Sequence, residues 1–274
     1  MTVTILADAL KEFNLALDDF TSNLEFIRSA ARLRPRLSEM LHWSAMDSDA
    51  KKLADTFLKQ GNAEERVLYR GMVVLLSGAF EQFVRRVIRD CVTSINKSVF
   101  KYDALDEKIQ KQHVYRTGIA LQTIHEPLDH LVLDYEGLGK NLGTCFNGSN
   151  DYSLNADAFT IFMSVISPKS LVDALDRLGL NINWDDLGRV QGLQDHFGKS
   201  DTRETAKAIQ DFLKDFGRTR NKIAHTGNSG VVITESDFSQ LLKMFRIFAS
   251  AFSAVIESEL AKTIRRLRGK EKAI

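Results

Sequence analysis

Proline is scarce, at 3 residues in 274, and cysteine is scarcer, at 2. So little punctuation argues against a turn-rich β sandwich, and two cysteines make neither a disulfide framework nor a zinc knuckle. Cys91 lies in an apolar stretch and Cys145 in a Gly/Asn-rich one, a usage that fits a reducing cytosol. An excess of one charge is lacking too. The 37 Lys and Arg residues against 36 Asp and Glu leave +1, so any basic surface has to be local. The most apolar run, Gly71 to Phe80, is too short to cross a bilayer, and the opening MTVTILADALKEF has neither the basic segment nor the continuous apolar core of a secretion signal. A soluble, cytoplasmic protein without a membrane partner is expected. No G-x-x-x-x-G-K-[ST], G-x-G-x-x-G or G-x-S-x-G pattern occurs, which removes the main reasons to read an ATPase, kinase, dehydrogenase or α/β-hydrolase, and no cofactor is expected.

What is present is helical periodicity. The hydrophobic content of 44% is enough for a sizeable core. Leu6, Leu10, Phe13, Leu17, Phe20, Leu24 and Ile27 recur at steps of three and four, so residues 3–34 read as one amphipathic helix that needs a partner. Helices at 37–46, after Pro35, and at 48–59, before Gly61, follow. The pattern at 63–97 is the longest, and its centre, MVVLLSGAF, is apolar all round, as in a helix enclosed by others. Residues 104–133 read as a helix weakened at Pro127, and 134–153, rich in Gly and Asn, as a loop. Shorter helices at 154–166, 169–178 and 185–197 precede a stronger one at 202–226. Thr234-Glu235-Ser236-Asp237 then caps a last helix carrying Phe238, Leu241, Leu242, Phe245, Phe248, Phe252 and Ile256. The fold class is all-α, and one helical domain with an elaborated middle is the simplest organisation.

The segment IQDFLKDFGRTRNKIAHTG, Ile209 to Gly227, carries the chemistry. Its apolar stripe of Ile209, Phe212, Leu213 and Phe216 meets Arg220 at the next step of four and Ile223 after it. A guanidinium at a core-facing position requires a carboxylate, a carbonyl cluster, a subunit interface or an anionic ligand. Arg218, Asn221 and His225 share one face of the same helix end, and Gly227 suits its C′ position. On an ideal helix Arg220 lies about 140° from His225. A long side chain, a distorted last turn or a second copy would each bring it to a common phosphate. The plain alternative is an internal salt bridge for Arg220 and a favourable helix-end contact for His225.

RNKIAH, Arg220 to His225, resembles the R-(N/D/H)-x-x-x-H motif of the HEPN superfamily, helical domains of prokaryotes and higher eukaryotes. YRGMVVLLSGAFEQFVRRVI, Tyr69 to Ile88, resembles the first core helix of the bacterial RiboL-PSP-type branch, where an apolar run leads to an acid, here Glu81. The resemblance implies an antiparallel helical bundle with core helices at about 63–98 and 202–270, an N-terminal extension at 1–60 and a helical insertion at 104–200. It also implies a homodimeric, metal-independent endoribonuclease whose two motifs face each other across a composite cleft. In that reading His225 is the general acid/base, Arg220 clamps the phosphate, Asn221 orients the histidine or phosphate, and Glu81 holds Arg220 or His225 in place. Arg218, Lys222 and Arg85 are the expected RNA contacts. The partners implied are RNA, a second copy and an antitoxin or other regulatory protein, in a toxin–antitoxin or antiviral defence setting. A non-catalytic module that binds RNA, a nucleotide or a protein, or an inactive regulatory partner, remains open.

Other charged features have simpler readings. Glu81 can pair with Arg85 four residues on and merely mark where a buried helix emerges. Arg85, Arg86 and Arg89, and the run KTIRRLRGKEK, either follow RNA phosphates or, for the run, form a solvated helix end. HEPLDH, His125 to His130, fails as a zinc motif because Asp129 replaces the second histidine and Pro127 interrupts the helix. His42, His113 and His196 have no companion at ligand spacing, so no metal site is expected.

Overall fold

A computed structural model describes residues 5–40, 47–59, 63–125, 132–146, 152–164, 167–226 and 230–273, with the side chains of 63–66 excepted. Among them no strand occurs, and the order is α1 (Ala7–Met40), α2 (Ser48–Lys59), α3 (Ala63–Ser98), α4 (Glu107–Gln122), α5 (Tyr135–Phe146), α6 (Ala156–Thr160), α7 (Pro168–Asp176), α8 (Trp184–Gly188), α9 (Gln191–Phe197), α10 (Thr202–Thr226) and α11 (Glu235–Glu271), with a short 3₁₀ turn at Tyr102–Ala104. His42, Trp43, Gly61, Pro127 and Gly227 lie outside the described residues.

Four long helices make the core. The stripe of α1 faces inward as its spacing requires, with Leu6, Phe13, Leu17, Leu24 and Ile27 buried against α3 and α11. Phenylalanines interlock where these helices meet: ring centroids are 4.9 Å apart for Phe13 and Phe83, 5.0 Å for Phe80 and Phe245, and 4.8 Å for Phe216 and Phe245. Such contacts exceed simple area burial by about 0.5–1.5 kcal/mol each. The Phe216–Phe245 contact has a further consequence, because it fixes how α10 is rotated and turns the opposite face of α10 away from α11. Polar ties close the bundle. Glu257 accepts the backbone N–H of Leu6 at 2.8 Å, Arg28 pairs with Glu235, and Thr234 and Asp237 form the expected capping box of α11.

Several elements depart from the sequence reading. α1 runs through Pro35 to Met40 instead of breaking there. Proline deletes one donor and crowds the preceding turn, yet the continued helix is tied to α2 by the Arg34 guanidinium, 5.4 Å from the Phe57 ring centroid. α3 is central but not enclosed on every side, since Leu68, Gly71, Leu75 and Gly78 form an exposed line along it and Leu75 is 65% exposed. Residues 135–146, expected as loop, are the helix α5. Asp134 caps it by accepting the N–H of Gly137 at 2.9 Å, while Leu138 and Cys145 bury its inner face. Of the helix expected over 104–133, Glu107–Gln122 is helical and ends in the turn at Thr123 and Ile124, and the one expected at 185–197 is divided into α8 and α9.

The middle of the chain shares the main core. Ile109, Tyr152, Phe159, Leu171, Leu175 and Leu187 join the cluster that contains Phe80 and Phe245. A buried polar network fastens α4 to α5: Asn155 donates from Nδ2 to Thr117 Oγ1 and to the Leu138 carbonyl, both at 3.1 Å, and its Oδ1 accepts from Asn141 at 2.9 Å. α3 and α11 are long and apolar enough by composition to cross a membrane, contrary to the reading from the apolar run alone. Here those two helices supply the inside of the bundle. Cys91 and Cys145 are free and buried, and burial pushes both thiols up, Cys145 to about 11.

Candidate functional site

α10 is amphipathic throughout, and this decides which residues meet. Ile209, Leu213, Phe216 and Ile223 are buried, whereas Lys214, Arg218 and Asn221 recur at steps of four and three on another face. That face forms one wall of an open cleft of about 410 Å³, lined also by Arg220, by Glu81 from α3, and by Ser164, Ser167 and Ser170 from the entry to α7. Three cations, one acid and three hydroxyls therefore converge. Such a surface suits an anionic ligand with several oxygens.

Arg220 is half-buried at the edge of the core, as its place in the stripe requires. Its Nη1 donates to Asn221 Oδ1 at 3.1 Å, while its Nε is buried with no acceptor. Among the described residues it has no ion pair, so of the partners the sequence left open, a carboxylate is not found among them. Arg218 is exposed and meets only Asp215, at 3.4 Å, an exposed pair that contributes little and leaves the guanidinium available.

Glu81 lines the cleft, but it engages neither Arg220 nor His225. Its carboxylate accepts from Arg85 Nη2 at 2.7 Å, with both side chains about four-fifths buried. Arg85 is correspondingly unavailable as an RNA contact. Its guanidinium donates to the carbonyls of Thr160 and Met163 as well, which makes it an internal clamp between α3 and the segment after α6. The other arginines of that cluster are also paired, Arg86 with Asp90 at 3.3 Å and Arg89 with Asp157 at 2.7 Å. The basic C-terminal run is ordered helix as far as Glu271, which accepts the N–H groups of Phe100 and Lys101, and Arg266 and Lys270 both pair with Asp106.

His225 and Lys222 are exposed and lie outside the cleft. α10 is regular to Thr226, so no distorted last turn swings the histidine toward Arg220. His225 continues the face of Asn221 one turn onward, about 6 Å along the axis. Within one chain, then, Arg218, Arg220 and Asn221 are gathered and His225 stands beyond the cleft's edge.

Sequence reasoning missed Lys214 and the three serines. Lys214 was legible, since it precedes Arg218 by four on the face already identified. The serines were not, because Ser167 and Ser170 cap each other at the start of α7 and reach the cleft only through the packing of α7 on α10. Among the described residues no group of three or more His, Cys, Asp or Glu side chains is placed to hold a metal, and of HEPLDH only His125 is described.

No curated protein and no solved structure matches this chain. A family model for RiboL-PSP-HEPN matches residues 31–258, which takes in α3, α10, most of α11 and the whole of the middle that had been expected as an insertion. With the match spanning well over half of the sequence and containing both the cleft and the R-N-x-x-x-H motif, the chain belongs to the RiboL-PSP-HEPN family.

Proposed function

We propose that the cleft binds an RNA phosphate and that the protein is a metal-independent endoribonuclease acting as a dimer. The observation that carries this reading is Arg220, a half-buried guanidinium with no acid among the described residues, held by Asn221 at the mouth of a cationic cleft in a chain of the HEPN type. Arg220 stabilises charge on the phosphorane, Asn221 orients it, and Arg218 and Lys214 hold the flanking phosphates, with Lys222 at the rim. His225 takes the proton of the 2′-OH, whose oxygen attacks phosphorus. The P–O5′ bond breaks as the new bond forms, and a proton delivered to the leaving oxygen gives a 2′,3′-cyclic phosphate and a 5′-OH. DNA lacks the nucleophile and survives. The Glu81–Arg85 pair sets the shape of the far wall rather than touching substrate.

A second copy completes the site. The exposed line of Leu68, Gly71, Leu75 and Gly78 ends one turn before Glu81, so a copy docked along it would meet the cleft, and its His225 would supply the group that one chain leaves outside. A toxin or defence effector restrained by an antitoxin-type protein is the setting this activity suits.

The test is incubation of the wild type, Arg220→Ala and His225→Ala with total cellular RNA in excess EDTA, followed by end-group analysis. Cyclic-phosphate ends from the wild type alone are expected; full activity in either variant would refute the assignment. Mixing the two inactive variants then probes the composite site. Random exchange makes half of the dimers mixed, each with one complete site of two, so roughly a quarter of wild-type activity returns. No recovery places both residues in one chain's site. The position of His225 outside the cleft favours one rival, a non-catalytic RNA-binding module, which predicts RNA binding without cleavage in the same assay.

A further inference from the structure

Phe162 is the only non-glycine residue with positive φ among the described residues, at 51°. A bulky side chain is disfavoured there, and nothing local requires one. The flanking residues Ile161 and Met163 are buried, yet Phe162 itself is turned outward and is 60% exposed. Folding has spent backbone strain to hold an aromatic ring in water, where glycine or asparagine would make the same turn more readily.

The turn is held by the clamp described above. Arg85 donates to the carbonyls of Thr160 and Met163, on either side of Phe162, while Glu81 engages the same guanidinium. Glu81 is a wall of the cleft, and so is Ser164, whose Cα lies within about 7 Å of that of Phe162 by chain length alone. An exposed ring is thus carried two residues from a lining residue of the cleft whose other wall holds Lys214, Arg218 and Arg220. Aromatic rings beside cations that track phosphates are how proteins bind single-stranded nucleic acid.

We propose that Phe162 is a stacking platform for an unpaired base of the RNA, and that Arg85 and Glu81 are positioning residues for that ring. The proposal rests on the RNA reading of the cleft and deepens it, because stacking of this kind requires a single-stranded segment next to the cleaved bond. It also accounts for a glutamate that lines the cleft yet engages Arg85 rather than the cations of the other wall.

The test measures binding of the full-length chain to a fluorescein-labelled 2′-O-methyl oligoribonucleotide of about 12 nucleotides, which lacks the attacking hydroxyl and stays intact. Phe162→Asn is the informative variant, since asparagine tolerates the left-handed conformation. It is expected to bind about tenfold more weakly, to melt about 2 °C higher, and to keep the oligomeric state of the wild type, while Phe162→Tyr binds as the wild type does. Unchanged affinity in Phe162→Asn overturns the proposal. So does a lowered melting temperature, which makes the ring a packing element, or a change from dimer to monomer, which makes it a subunit contact. Cleavage of cellular RNA by the wild type keeps the two readings separable. If RNA is cleaved while Phe162→Asn binds normally, only the platform falls, and if the wild type neither cleaves nor binds, both fall.

Discussion

Mild acid should destabilise this protein through one histidine. His113 is fully buried on α4, its ring stacked 6.2 Å from that of Phe159. Its Nε2 accepts the backbone N–H of Asn155 at 3.1 Å, so the ring proton belongs on Nδ1, which faces Cys145 Sγ at 3.6 Å. A second proton would set donor against donor and leave a charge among apolar groups. Burial accordingly lowers the His113 pKa from 6.5 to about 4. Between these values the unfolded chain binds a proton that the folded chain refuses, so stability rises with pH across the window. The contribution is fully present above about 6.5, shrinks as pH falls, and is gone near 4, a difference of about 3 kcal/mol. That is a large share of the roughly 5–15 kcal/mol that holds a typical domain. Urea unfolding followed by tryptophan fluorescence from pH 7 to 4 measures it, with His113→Gln as control, because the glutamine carbonyl accepts from Asn155 without titrating. All other ionisable groups are common to both proteins and cancel, as does any constant cost of the substitution. The wild type should lose about 3 kcal/mol more than the variant over this range; parallel curves would refute the reasoning.

Two further substitutions test packing and assembly. Gly188 ends α8 where it lies against α10, and an added Cβ would sit 2.2 Å from the Thr202 carbonyl oxygen, a backbone atom that cannot rotate away. Gly188→Ala should therefore destabilise by about 1–3 kcal/mol in urea unfolding, and an unchanged midpoint would show that α8 is loosely docked. Leu75 is exposed on the open line of α3, so Leu75→Asp should alter the stability of one chain by no more than about 0.5 kcal/mol, preserve its circular dichroism and convert a dimer to a monomer in sedimentation, with loss of RNA cleavage. A variant that still dimerises would move the subunit contact elsewhere.

Long, strongly periodic elements were legible in the sequence because burial follows spacing. The stripe from Leu6 to Ile27 and the capping box at Thr234 are found as read, and 202–226 is a helix over that span. α5 was illegible for a definite reason. Gly137, Gly139 and Gly143 each cost about 1 kcal/mol relative to alanine in a helix, so local propensity points to loop. Tertiary terms reverse it, through the Asp134 cap, the burial of Leu138 and Cys145, and the bond from Asn141 to Asn155. Pro35 misled in the same way, since one missing donor is outweighed when the helix beyond it has a neighbour. At the site, residues of a single helix face were predictable, whereas the partners of Glu81 and Arg85 and the arrival of the serines depend on contacts between segments far apart in sequence.

The arginines show what periodicity alone could not decide. A core-facing guanidinium was expected to find a partner, and several arginines of the fold follow that rule. Arg85 has Glu81 and two carbonyls, Arg89 has Asp157, Arg266 has Asp106, and Arg177 donates to the Phe159 carbonyl at 2.8 Å even though burial lowers its pKa to about 10. These arginines thus meet carboxylates or backbone carbonyls, whereas half-buried Arg116 meets the amide oxygen of Gln112 at 3.4 Å. Arg220 receives only the neutral amide oxygen of its neighbour Asn221, on the wall of a cleft with two further cations. Desolvating an uncompensated charge is costly, and at Arg220 no carboxylate among the described residues offsets it. In the RNA reading proposed above, a substrate phosphate supplies that counter-charge. Phosphate fits a planar donor fork flanked by hydroxyls and a second arginine, which is the geometry the proposed RNA reading of the cleft requires.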